Sequence, residues 1–324
     1  MALGRRAARS AAAAATAAAI GISASACMTV DGARARVAPL DEREAAKVLA
    51  EFDARNNEVY AKRDPDLNKT IEAGSFGAID QGALKILRFS DPQRARPTPP
   101  VTHNNPQFWI PRPVGWPKWF AVQNTPSYAQ NRTMLLVFVK SGPDAPWMAS
   151  WGPSAKPGEP LPEPYRDSTG HVEEVGLDTP GLAVEPSRAA QEFTGYLTDG
   201  KSALFAPGAQ TSEARKSREG AVQDGFVRQF ADMPTTQYRP MAIRLRDGGA
   251  LVLFAVTHSM KLTMQPPNTL GELDPSQGAF VTGKPTRSVT EQRLAEYAVA
   301  VPPAGGGQVR VVATASGVVG ADGE

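Results

Sequence analysis

The sequence is poorest in cysteine, with a single residue, Cys27, in a chain of 324. One cysteine cannot form a disulfide within the chain, and it excludes zinc sites that are built from several thiolates. The three histidines, His103, His171 and His258, are far apart in the sequence and lack the spacing of metal ligands. We therefore expect neither a metal nor a cofactor.

The chain also lacks the short motifs of catalysis and nucleotide binding. It contains no HExxH, GxSxG, P-loop, GxGxxG or CxxC. The formal net charge is +2, and removing the three arginines of residues 1–26 leaves −1. A nearly neutral protein has no electrostatic basis for binding nucleic acid. The apolar run at residues 11–22 is shorter than the roughly 20 residues that are needed to cross a bilayer, and no later run is long enough.

The one cysteine follows a stretch that has the features of a secretion signal. Arg5, Arg6 and Arg9 precede an alanine-rich run over residues 11–22, and Ala24-Ser25-Ala26 then leads directly to Cys27. This layout is typical of a bacterial secretory signal. We predict a signal peptide over residues 1–26, lipidation of Cys27, and a tether over residues 27–39. The alternative is plain secretion after cleavage at the same bond. The lipidated form is expected at the extracellular face of the cell membrane.

The apolar periodicity predicts helices followed by antiparallel strands, and this order occurs twice. The first helix covers residues 40–62, with Asp41 and Glu44 as a capping box. Later helices are expected at 185–198 and 212–232. Strand patterns are found at 119–123, 133–139, 147–151, 241–245, 251–257, 289–301 and 309–315. We predict an α+β fold with domains over 40–176 and 185–324, joined by a linker over 177–184.

Several short stretches resemble a family of uncharacterised actinobacterial secreted lipoproteins. They are Asn56-Asn57, Arg63-Asp64, Trp109 to Arg112, Trp119 to Ala121, and Val301 to Pro303. The order of elements is similar to two tandem NTF2-like, or cystatin-like, cones, in which helices pack on a curved antiparallel sheet. The family has no known activity, so the resemblance implies no catalytic residue.

The tryptophans are unevenly distributed, since all five lie between residues 109 and 151. They are Trp109, Trp116, Trp119, Trp147 and Trp151. One interpretation is an aromatic site for an apolar ligand or a sugar, and the other is a core that anchors proline-rich loops. Trp147 and Trp151 are an even number of residues apart, which predicts a shared strand face. His258 ends an apolar strand, where a pocket could open.

These observations favour a membrane-anchored lipoprotein outside the cytoplasm that binds or scaffolds without catalysis. An envelope protein, a glycan or a small apolar ligand are the candidate partners. The alternative is a hydrolase or isomerase that uses a cone-shaped pocket. Because Asp64 and Asp66 flank Pro65, we interpret them as helix-capping residues and not as a catalytic pair.

Overall fold

The computed structural model describes residues 36–223 and 225–324. Cys27 and the predicted signal peptide lie outside the described residues. The helices are α1 (Glu42–Lys62), α2 (Pro65–Asn68), α3 (Gly74–Ser90), α4 (Ala189–Asp199), α5 (Ser212–Lys216) and α6 (Pro275–Gly278). The strands are β1 (His103–Trp109), β2 (Lys118–Pro126), β3 (Met134–Lys140), β4 (Met148–Trp151), β5 (Val222–Gln223), β6 (Phe226–Pro234), β7 (Met241–Arg244), β8 (Ala250–Met264), β9 (Ser288–Val301) and β10 (Arg310–Gly323). The predicted α+β class is confirmed.

The strands form two antiparallel sheets. The first has the order β1-β2-β3-β4, and the second has the order β10-β9-β8-β6-β5. The short strand β7 pairs with the part of β8 that β6 leaves uncovered. Ser154 connects the sheets, because it bridges Met134 of β3 on one side and Thr314 of β10 on the other.

Three apolar clusters show how these layers pack. One cluster joins α1 to one face of the first sheet through Phe52, Phe120 and Phe138. Another joins α4 to the outer face of the second sheet through Phe193 and Phe254. The third lies between the sheets and uses their inner faces. Both faces of the central strands are therefore buried, which explains why β3 and the first half of β8 have continuous apolar sequences.

Successive side chains of β8 enter different apolar clusters. Leu251 and Leu253 enter the cluster between the sheets, whereas Val252 and Phe254 pack against α4. Successive side chains of a strand point to opposite faces, so the assignment alternates with a period of two. Residues from both sides of the predicted linker at 177–184 thus share one core cluster. Independent folding of 40–176 and 185–324 stays a prediction.

The first helix has the predicted ends. Asp41 accepts a hydrogen bond from the backbone N–H of Glu44, and the Glu44 side chain accepts one from the backbone of Asp41. Asp64 caps α2 by accepting from the backbone N–H groups of Asp66 and Leu67. The predicted caps Asp41 and Asp64 are confirmed, whereas Asp66 lies within α2 and pairs with Lys69 instead of capping the helix.

The predicted helix over 212–232 is wrong beyond its first five residues. The helix α5 ends at Lys216, and residues Phe226–Pro234 form a strand that pairs along β8. Gly220 and Gly225 adopt positive φ angles of 69° and 96°, which interrupt a helix. The edge of β8 supplies backbone hydrogen bonds that the local periodicity could not reveal. Strands β7 to β10 otherwise begin near the predicted positions, but β8 extends to Met264 and β10 to Gly323.

Candidate functional site

A cavity of about 750 Å³ opens beside the ends of β2, β4 and β7. Three of the five tryptophans line it: Trp116, Trp119 and Trp151. Because these rings define the wall, we call this space the aromatic cavity. Val139, Met241 and Leu177 add aliphatic surface. A cavity of this size lies within the range of about 300–1,000 Å³ that is usual for small-molecule sites.

The three tryptophans take different positions. Trp119 belongs to β2 and is 2% exposed, and its indole Nε1–H donates to Glu174 Oε1 at 3.2 Å. Trp151 ends β4 and is also buried. Trp116, in the connection before β2, is 45% exposed at the opening. Burial of Trp119 agrees with its predicted place in the core, although the residue also lines the cavity.

Charged side chains of both signs surround the aromatic wall. The cations are Arg36, Arg112 and Arg239, and the acids are Asp167, Glu173 and Glu174. Arg112 forms an ion pair with Asp167, and Arg244 approaches Glu173 at 3.5 Å. Hydrogen bonds from Thr169 and His171, together with the nearby Arg112, hold the pKa of Asp167 well below its usual value, against the effect of burial.

The other two tryptophans lie elsewhere. Trp109 is buried in the cluster between the sheets, and Trp147 packs edge-on against Phe120 in the α1 cluster. The predicted shared face of Trp147 and Trp151 is therefore wrong. A β-bulge causes the difference, since Val137 pairs with Trp151 while the next residue, Phe138, pairs with Ala149. The extra residue shifts the alternation by one position.

A buried acid, Glu296 of β9, lies behind the cavity wall between the two sheets. Its Oε1 accepts from Ser75 Oγ at 2.7 Å, and its Oε2 accepts from the backbone N–H of Gly152 at 2.8 Å. Gly74 and Trp151, the neighbours of these two donors, line the aromatic cavity. Burial raises the pKa of Glu296 to about 7, despite the two hydrogen bonds, which lower it.

Two further acids stand close to Glu296. Burial raises the pKa of Glu72, and it raises that of Asp80 to about 6. Tyr60 donates its hydroxyl to Asp80 Oδ2 at 2.9 Å, while neither oxygen of Glu72 receives a hydrogen bond from a donor within the described residues. A protonated Glu72 can itself donate to Asp80. We call Tyr60, Glu72, Asp80 and Glu296 the carboxyl cluster.

His258 belongs to a separate group on the other side of the second sheet. Its Nδ1 lies 2.6 Å from Asp232 Oδ1, and its Nε2 lies 2.7 Å from the Tyr297 hydroxyl. Arg218 donates two hydrogen bonds to Asp232, from Nη1 to Oδ2 at 2.5 Å and from Nη2 to Oδ1 at 2.9 Å. Burial acts to raise the pKa of Asp232, but hydrogen bonds from His258 and Arg218 outweigh it and lower this pKa to about 2. We call these four residues the histidine network.

The histidine network borders a second cavity of about 190 Å³, which is too small for most organic ligands. His258 thus faces a pocket, but it is not brought together with the tryptophans. Over residues 36–223 and 225–324, no group of three or more histidines and acids is placed to hold a metal ion. In the same ranges, no helix is both long and apolar enough to span a membrane.

Residues 38–323 match the model of a protein family described as a domain of unknown function, DUF8094. The chain belongs to this family. It is 31% identical over 308 residues to an uncharacterized lipoprotein of Streptomyces coelicolor, covering 94% of this chain and 92% of the relative. It is 30% identical over 325 residues to an uncharacterized lipoprotein of Streptomyces avermitilis, covering 99% and 97%. No solved structure matches the chain.

The predicted resemblance to an actinobacterial lipoprotein family is confirmed by these relatives. Sequence reasoning missed the carboxyl cluster. One signal was available for Glu296, because it interrupts the apolar stretch from Leu294 to Val301 on a strand that is buried on both faces. The partners Ser75 and Gly152 lie more than 140 residues away in the sequence, and no local pattern connects them to Glu296.

Proposed function

We propose that the protein is a lipoprotein at the extracellular face of the membrane, acylated at Cys27, that binds a small and largely apolar ligand in the aromatic cavity. The ligand is held and not transformed. The lipoprotein relatives and the sequence around Cys27 support the anchor. Two acyl chains suffice for stable membrane attachment.

The observation that carries the binding proposal is the convergence of Trp116, Trp119 and Trp151 on one open cavity. The apolar walls of an empty cavity lack van der Waals contacts that a bound ligand supplies. Indole rings offer large flat surfaces for apolar molecules. The exposed ring of Trp116 is the most accessible of the three and contributes little to the core.

A fluorescent apolar probe, N-phenyl-1-naphthylamine, tests the cavity. We expect saturable binding with energy transfer from tryptophan, and at least tenfold weaker binding in Trp116→Ala. Tyr128→Ala is the matched control, because Tyr128 is 68% exposed and does not line the cavity. Absence of binding, or equal loss in both variants, would contradict the proposal. Trp119→Ala is less suitable, since truncating a buried aromatic costs about 3–5 kcal/mol of stability.

The anchor has its own test. Cys27→Ser removes the sulfur that carries the lipid, so we expect the variant to leave the membrane fraction or to remain unprocessed. Metabolic labelling with a clickable fatty acid measures acylation directly. A variant that is labelled and fractionates like the parent would contradict lipidation at Cys27.

Two related proposals concern the fold and its alternatives. The tandem NTF2-like description rests on the helices that cover each sheet, with 40–176 and 185–324 as its two parts. A hydrolase or isomerase would require a titratable group that touches the ligand. Glu296 has a suitably raised pKa, but it is fully buried behind Ser75 and Gly152. A glycan would also suit the tryptophans, and an envelope protein could bind at the opening.

A further inference from the structure

The opening of the aromatic cavity carries an exposed apolar surface. Val114, Trp116 and Tyr165 line the opening and are 47%, 45% and 43% exposed. Val37, 58% exposed, adjoins them, because its neighbour Arg36 bridges Val114. We call these four side chains the apolar rim. Adjacent exposed apolar groups mark interaction sites, and Trp and Tyr are favoured at membrane interfaces.

The described part of the chain begins at this rim. Arg36 lines the cavity and follows Cys27 by nine residues, which span at most about 30 Å when fully extended. A compact body of roughly 290 residues has a radius of gyration of about 19 Å, so it is about 50 Å across. A tether shorter than the body keeps the rim on the side that is nearer to the lipid anchor.

The charges at the opening favour an anionic group. Asp167 is paired with Arg112, Glu173 lies beside Arg244, and Glu174 accepts from Trp119. Neither Arg36 nor Arg239 forms an ion pair with a carboxylate in the described residues, although both line the cavity. Asp167 and Glu173 are thus paired with arginines, whereas Glu174 has only the neutral indole donor. Among the described residues, Arg36 and Arg239 are the two cations of the cavity without a carboxylate partner, so one positive charge is left over for a ligand. Guanidinium groups bind phosphate oxygens with well-defined geometry.

We propose that the apolar rim rests on the bilayer and that the aromatic cavity takes up a single-chain amphiphile with an anionic phosphate head group. This inference rests on the proposed function and names its ligand and source. The acyl chain lies against the tryptophans, and the head group lies at Arg36 and Arg239. A cavity of about 750 Å³ suits one chain, because it falls within the range for ligands of drug size.

The first experiment locates the rim on the membrane. The lipidated protein is reconstituted in vesicles of phosphatidylcholine with one-third phosphatidylglycerol. Val114→Cys is labelled with an environment-sensitive dye and compared with Met233→Cys, an exposed position outside the cavity. We expect a blue shift and quenching by doxyl lipids at position 114 only. Identical spectra at both positions would overturn the membrane contact.

The parent protein supplies a control that separates the two proposals. Acylated Cys27 is the only cysteine and cannot react with the dye, so an unlabelled parent supports the anchor. A labelled parent would contradict the proposed lipidation and would be recognised before the rim is tested.

The second experiment identifies the ligand class. Lysophosphatidylglycerol and lysophosphatidylcholine of equal chain length are titrated below the concentrations at which they form micelles, with native mass spectrometry as the readout. We expect at least tenfold tighter binding of the anionic lipid. Arg36→Gln/Arg239→Gln should remove this preference, whereas Arg43→Gln/Lys47→Gln, on the exposed face of α1, should keep it.

Three outcomes decide the question. Loss of the head-group preference in the cavity variant alone supports the proposal. Equal binding of both lipids by the parent overturns the anionic head group. Binding of the naphthylamine probe without binding of either lipid overturns the amphiphile but leaves the proposed function intact.

Discussion

The carboxyl cluster and the histidine network place buried acids in opposite electrostatic surroundings. In the histidine network, Asp232 is paired with Arg218 and His258, and its pKa falls to about 2. In the carboxyl cluster, no described lysine or arginine forms an ion pair with Glu72, Asp80 or Glu296, and burial raises the pKa of Glu296 to about 7. In the histidine network the negative charge of Asp232 is compensated by the positive charge of Arg218. In the carboxyl cluster burial disfavours the charged form of each acid.

This difference has consequences for stability. An acid that is paired and hydrogen-bonded in the native state stabilises folding at neutral pH, while an acid that burial prevents from ionising destabilises it. The second arrangement is retained beside the wall of the aromatic cavity. Strained or costly groups are frequent near binding sites, so the position of the carboxyl cluster agrees with the proposed function.

Cutting the chain at the predicted linker separates the two groups most strongly. All four residues of the histidine network lie within 185–324, whereas the hydrogen bonds of Glu296 reach Ser75 and Gly152 in 40–176. The sequence predicts that both fragments fold independently. Because each fragment exposes its half of the cluster between the sheets, we expect from the structure that both lose cooperative unfolding. Urea titrations followed by circular dichroism measure this.

The urea titrations can also give the opposite result. Two soluble fragments that each unfold cooperatively would support the tandem domains predicted from the sequence. The mixed fragments provide a control, since a shared core predicts that cooperative unfolding returns when both are combined.

Local chemistry made part of the fold predictable. The capping box of α1 requires only Asp41 and Glu44. The hairpin of β9 and β10 is indicated by a glycine-rich turn between two apolar runs. Such signals act over a few residues. The error at 212–232 arose because a strand edge far along the chain, in β8, decided the conformation of Phe226–Pro234.

The candidate site was predictable only in composition. The sequence shows that tryptophans are concentrated between 109 and 151, but it does not show which of them meet. The bulge in β4 separates Trp147 from Trp151, and Tyr238 and Arg239 reach the cavity from a distant segment. These arrangements depend on strand register, which local patterns do not determine.

Within the intact chain, the largest effect is expected from removing Asp232. Asp232→Ala leaves Arg218 and His258 without their partner, and breaking a buried ion pair costs about 3–5 kcal/mol. The midpoint of urea unfolding at pH 7 should fall accordingly. Asp66→Ala is the control, because Asp66 pairs with Lys69 at the surface, where solvent screens the pair and its loss has little effect on stability. Equal effects of both changes would contradict the network.

A smaller effect, of opposite pH dependence, is expected from Glu296. Its native pKa of about 7 exceeds the ordinary value of 4.5, so the native state binds more protons between these values. Stability should therefore decrease as the pH rises from 4.5 to 7 and level off above, by a contribution on the order of 3 kcal/mol.

The variant Glu296→Gln isolates this contribution. A glutamine can accept from Gly152 and donate to Ser75 Oγ, so the shape and hydrogen bonds are retained without an ionisable group. We expect a flatter dependence of unfolding free energy on pH between 5 and 8. An unchanged slope would show that Glu296 is not responsible. Two acids act in the other direction: Asp91, whose pKa the buried Arg63 lowers to about 2, and Asp232, whose pKa is also about 2. Their protonation lowers stability only below about pH 4.

The smallest effect on stability is expected at Glu72. Neither of its carboxylate oxygens accepts a hydrogen bond from the described residues. Burial and the nearby Asp80 both raise its pKa, so ionisation of Glu72 costs more free energy in the native state than in the unfolded chain. Glu72→Gln removes this ionisable group, and we expect the free energy of unfolding at pH 7.5 to increase. No gain is expected at pH 4, where the unfolded carboxyl is itself mostly protonated. A gain of equal size at both pH values would show that packing, and not protonation, limits stability at this position, and the contrast with the balanced Asp232 would then have a different cause.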